Sequence, residues 1–138
     1  MMKTVLAFVL VLWVAAPNLA LADGCDNPVT QSDMTYCADW WFKKDDAGLN
    51  QAYSDLKTYY AKIPVAKAGL IKAQRAWLAF RDAECGLEAA GEQGGTAQPM
   101  IFNQCLSRLT RLRTDQLQVR LDCHEGDLTC IAAGDAAN

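Results

Sequence analysis

The chain has 138 residues, 51% of them hydrophobic, with 16 acidic side chains against 13 basic ones and a formal charge of −3. That balance excludes the basic surface on which nucleic-acid recognition rests, and the apolar share excludes a disordered chain. Six cysteines in so short a sequence point to a disulfide framework built in an oxidising compartment.

Residues 1–22 have the three parts of a cleavable export signal. Lys3 supplies the positive start, Val5 to Val14 form an apolar stretch, and Ala20-Leu21-Ala22 offers small residues for cleavage. The stretch falls short of the roughly 20 apolar residues of a membrane-spanning helix. Pro17 and Asn18 also interrupt it, so no stable membrane insertion is expected after cleavage. Cys25 follows Ala22-Asp23-Gly24, which puts a carboxylate where lipoprotein processing needs a small uncharged side chain. The expectation is a soluble periplasmic or secreted protein. Residues 23–138 suffice for one domain, with a core over about 25–123 and a flexible C-terminal tail. This part keeps all six cysteines, and its 12 basic and 16 acidic residues give it a formal charge of −4.

Thr30, with Asp33 three residues on, has the pattern of a helix N-terminal capping box. Met34, Cys37, Trp41, Leu49, Tyr53, Leu56 and Tyr60 then recur at helical spacing, predicting a first helix to about Lys62. Asp45 interrupts the stripe, and Gly48 is a candidate bend. After Pro64, a second helix is predicted over Val65 to Ala90, with Ala66, Leu70, Ala73, Trp77, Phe80 and Leu87 facing the core and Glu84 in the one polar slot. The segment Gly91 to Pro99, with three glycines and a proline, predicts the clear loop. Phe102, Leu106, Leu109, Leu112, Leu117 and Leu121 mark a third amphipathic helix ending near Cys123. No stretch alternates as a strand does. The fold class expected is therefore all-α, an antiparallel up-down-up three-helix arrangement stapled by disulfides.

That arrangement constrains the cysteines. Cys85 and Cys105 lie ten residues either side of Gly95, so a reversal at the glycine loop sets them side by side. Cys123 and Cys130 would then pair at the other end, and Cys25 with Cys37. The strongest rival joins Cys37 to Cys85 or Cys105, and six cysteines allow 15 connectivities. Zinc is disfavoured, because there is no C-x-x-C pair and His124 is the sole histidine.

Four ordered motifs carry a resemblance. They are D-x-x-L-N-x-x-Y (Asp46, Leu49, Asn50, Tyr53), A-Q-R-x-W-x-x-F-R-D-x-x-C (Ala73 to Cys85), the Gly94-Gly95-Thr96 loop, and C-x-x-x-L-T-x-x-R (Cys105, Leu109, Thr110, Arg113). Together they cover about Cys25 to Leu117, and the chain resembles the lysozyme inhibitor LprI-like domains. The resemblance implies a helical exported domain, in a family whose named member is a lipoprotein that inhibits lysozyme. This chain departs from that member in lacking an acylation cysteine.

Arg75, Arg81 and Arg113 are placed to meet Asp46, Asp82 or Glu84 across the bundle, where guanidinium forks grip carboxylates. Structural ion pairs fixing helix register are favoured over a ligand site, and Asn50, Gln74 and Thr110 are read alongside them. Trp77 and Phe80 are expected in the core, whereas Trp40 and Trp41, being adjacent, point to different faces. Catalysis is disfavoured. Asp82, Glu84 and Glu88 are neighbours on one helix rather than carboxylates across a cleft, and there is no Gly-x-Ser-x-Gly elbow. The better candidate is a partner-binding loop, Glu92, Gln93, Gly94, Gly95 and Thr96, ordered in advance for a protein target. The expected function is inhibition of lysozyme-type muramidases by a cofactor-free monomer whose negative charge suits a basic lysozyme. The alternative is a non-inhibitory cell-envelope binding module.

Overall fold

The computed structural model describes residues 25–122, 124 and 126–131. Residues 1–22, read above as an export signal, lie outside them. Three helices, α1 (Gln31–Tyr59), α2 (Pro64–Glu88) and α3 (Gln98–Val119), are joined through short 3-10 turns at Tyr60–Lys62 and Ala89–Glu92. The fold is all-α, and the described residues include no strand.

Each helix begins for a local reason. Thr30 Oγ1 accepts from the Asp33 N–H at 3.1 Å, while the Thr30 N–H donates to the Asp33 carboxylate at 3.0 Å, a complete capping box. α1 runs through Gly48 without a break. Pro64 opens α2, and Pro99 sits in the first turn of α3, which therefore starts four residues before Phe102. The first-turn N–H groups have no intrahelical acceptor, so a proline there forfeits nothing. The expected loop shrinks accordingly.

Cross-helix contacts give the topology. Gln31 reaches Met100 at one end, Asp45 pairs with Arg111 midway, and Tyr60 packs in one cluster with Leu117 at the other end, so α1 and α3 run parallel. α2 returns antiparallel and packs on α3, with Cys85 bonded to Cys105 and Gln74 to Arg113. The main core holds Leu49, Ala52, Leu56, Tyr60, Ile63, Ala66, Leu70 and Leu117. Fully buried leucines such as Leu56 and Leu117 each contribute about 2–3 kcal/mol. A smaller cluster surrounds Cys85, Cys105 and Leu106, with Phe42, Phe102 and Leu109 against it.

The expected stripe on α2 is corrected. Its buried residues are Ala66, Leu70, Gln74, Arg81 and Cys85, whereas Phe80 is 54% exposed and Ala73 and Leu87 also face out. Leu112 on α3 is exposed as well. The disulfide explains the rotation of α2. Once Cys85 faces Cys105, positions four, eleven and fifteen residues earlier share its side of the helix, while Leu87 is turned about 200° away. The hydrophobic stripe and the covalent constraint disagree in phase, and the constraint wins.

Candidate functional site

The motif residues converge at mid-bundle on one guanidinium. Arg81, only 7% exposed, donates from Nε to Asp82 Oδ1 at 2.9 Å and from Nη1 to Asp46 Oδ1 at 3.3 Å and Thr110 Oγ1 at 3.4 Å. Its Cζ lies 5.4 Å from the Phe42 ring centroid and 5.2 Å from that of Trp77, so aromatic faces cover it where water would otherwise be. Asn50 Nδ2 donates to the second oxygen of Asp46 at 2.9 Å. The Arg113 guanidinium also lies 5.8 Å from the Trp77 ring centroid and donates from Nε to Gln74 Oε1 at 3.1 Å. Asp46, Asn50, Gln74, Trp77, Arg81, Asp82, Thr110 and Arg113 thus form one network spanning all three helices. Tyr53 packs at the edge of the main core.

Three expectations fail here. Arg75 is exposed, and among the described residues neither it nor Glu84 has an ion-pair partner. Arg113 meets the neutral amides of Gln74 and Gln116 rather than a carboxylate. Burial, and then the neighbouring Arg120 charge, depress its pKa. Two contacts went unseen in the sequence. Phe42 serves as a face for Arg81, and Asp45 joins Ser107 and Arg111 by hydrogen bonds, with Arg111 at 3.1 Å. The interruption of the α1 stripe by Asp45 was the signal for the second.

The loop is built differently. Residues 91–96 are exposed, yet their backbone is pinned: Gly95 N–H donates to Glu92 O at 2.8 Å and Gly94 N–H to Gln98 Oε1 at 3.0 Å. Gly94 has φ +78°, which a side chain would strain. At its base the Cys85–Cys105 disulfide is completely buried, with a Cα–Cα distance of 5.4 Å. Cys25 is bonded to Cys37. Cys130 is also in a disulfide, while Cys123, to which sequence geometry assigned it, lies outside the described residues. Trp41 is 42% exposed, its ring 4.5 Å edge-on from that of Trp40, with Lys44 over both.

Chemically, the central network is a clamp: the carboxylates of Asp46 and Asp82 are both engaged by Arg81. Among the described residues, no three His, Cys, Asp or Glu side chains are grouped to hold a metal ion, and no helix is long and apolar enough to cross a membrane.

Comparison with known proteins matches residues 24–117 to the family described as Lysozyme inhibitor LprI. An uncharacterized protein of Rhizobium meliloti (strain 1021) is 35% identical over 115 residues, covering 73% of this chain and 81% of its own length. The uncharacterized protein YecT of Escherichia coli (strain K12) is 38% identical over 87 residues, 54% of each chain. No solved structure matches.

Proposed function

The chain belongs to the lysozyme inhibitor LprI family, and from that membership we propose that it is exported, remains monomeric, and binds and inhibits a lysozyme-type muramidase without itself being an enzyme. The observation that carries this reading is the family match, which includes every residue of the central clamp and the whole glycine loop. The loop supports it physically. An exposed segment already fixed by its own hydrogen bonds and braced by a buried disulfide loses little entropy on entering a cleft, where each side chain newly immobilised costs about 0.5–1.5 kcal/mol. Glu92 is placed to approach a basic rim, and Gln93 and Thr96 to replace sugar hydrogen bonds. A formal charge of −4 over residues 23–138 favours encounter with a basic lysozyme.

The test is clearance of a Gram-positive cell-wall suspension by a basic lysozyme, with and without a stoichiometric excess of the oxidised protein. Inhibition by the oxidised form and not by the reduced, alkylated one is expected. Undiminished clearance with lysozymes of several classes would overturn the reading.

One observation favours a second reading, an accessory module that binds cell wall without inhibiting. Exposed Trp41 lines a groove with Gln104 and with Arg108 and Arg111, which are paired with Glu88 and Asp45, a setting suited to stacking on a sugar. Sedimentation with purified cell wall, combined with no effect on lysozyme, would select it.

A further inference from the structure

At the end of the bundle away from the glycine loop, α2 and α3 flank a cleft of about 460 Å³. That volume falls within the range of small-molecule sites. Its walls are Val65, Gly69, Leu70, Ala73 and Leu117, and Ile131 of the C-terminal segment lies against it. Three polar groups share this otherwise apolar space: Tyr60, Arg113 and Arg120. Tyr60 is 3% exposed, and its hydroxyl is not among the sealed polar atoms of the described residues, so it can donate into the cleft. Arg113 has only neutral partners, and neither arginine has a carboxylate within salt-bridge distance among the described residues. The positive charge of Arg120 acts on both Tyr60 and Arg113, so the three groups lie within electrostatic reach of one another. Two guanidinium groups at an apolar cleft, one of them desolvated, repel each other unless an anion stands between them.

We propose that this cleft binds a monoacyl amphiphile with a single anionic head, its chain lying between α2 and α3 and its carboxylate or phosphate held by Arg113, Arg120 and the Tyr60 hydroxyl. Arg113 supplies a planar fork suited to either head group, and the apolar walls supply area for the chain. The site is distinct from the loop proposed to meet lysozyme and stands or falls separately from it.

Calorimetry on the oxidised protein tests this with dodecanoate and dodecyl phosphate below their micellar concentrations, against neutral decyl maltoside and cationic dodecylammonium. The first two separate a carboxylate from a phosphate head. Saturable binding of at least one anion is expected, with the neutral and cationic chains about tenfold weaker or worse. Gly69→Leu should abolish binding, because a side chain there fills the cleft; a Cβ at Gly69 meets nothing within 4 Å, and an unchanged helical signal and Tm would show that the variant is folded. Arg120→Gln should weaken the anions about tenfold and leave decyl maltoside unchanged. Equal binding of the neutral chain, or unchanged affinity in Gly69→Leu, would overturn the proposal. So would binding that appears only when residues beyond Ile131 are removed, which would make the occupant the chain's own C-terminal segment. A dimer that Gly69→Leu dissolves would make it a second copy, with the same consequence.

Discussion

Arg81 holds the three helices in register with a single side chain. Its guanidinium donates to α1 through Asp46, to its own helix through Asp82 and to α3 through Thr110, while Phe42 and Trp77 take its faces. Lysine lacks both the fork and the flat face, so Arg81→Lys is expected to lower unfolding stability by about 1–3 kcal/mol, read from urea titration. A smaller case is Asp33, whose carboxyl is held below its ordinary pKa by hydrogen bonds from Thr30, side chain first and then backbone. A depressed carboxyl contributes stability that is present above its unfolded pKa of about 3.9 and lost as pH falls through the lower folded value. Asp33→Asn should therefore flatten the fall in Tm between pH 5 and pH 2. An equally steep fall in the variant would remove the capping box from that account. Both sites were legible in outline, because carboxylates and arginines at helical spacing announce ion pairs. Their partners were not all legible. Nothing along α2 distinguishes Arg75, which faces solvent, from Arg81, which is buried; only the position of Cys85 does.

At the scale of the element, α2 shows where periodicity misleads. Its apolar residues form two overlapping stripes, one through Ala66 and Leu70 and the other through Ala73, Phe80 and Leu87, and the second faces out. A polar set, Gln74, Arg81 and Cys85, occupies the inward positions instead. Reading hydrophobicity alone therefore assigns Phe80 to the core. Phe80→Ser is expected to change unfolding free energy by no more than about 0.5 kcal/mol, where a core phenylalanine would cost several times that. The turn between α2 and α3 was easier to read, since its glycines and its symmetric cysteines both demand a reversal. Replacing both members of the pair, Cys85→Ala with Cys105→Ala, should cost about 3 kcal/mol, as expected for a crosslink closing a loop of this length. A thermal midpoint unchanged by the double substitution would show that the loop base is held by packing alone.

For the whole molecule, the up-down-up arrangement followed from three amphipathic segments and short connections, and two disulfides follow the pairing that this geometry predicts. The sequence carried less about how the ends of the bundle are used. One end presents a constrained loop, and the other opens a cleft around two arginines. The cleft lies along the first half of α2, from Val65 to Ala73, where no pattern in the chain announces it. The proposed function requires that the Cys85–Cys105 disulfide hold the glycine loop in a shape that would block lysozyme. The most direct measurement is the inhibition constant of the triple variant Glu92→Ala, Gln93→Ala, Thr96→Ala beside the unaltered protein, with Tm measured on both. Inhibition weakened about tenfold or more at unchanged Tm is expected. Full inhibition by the triple variant would contradict it.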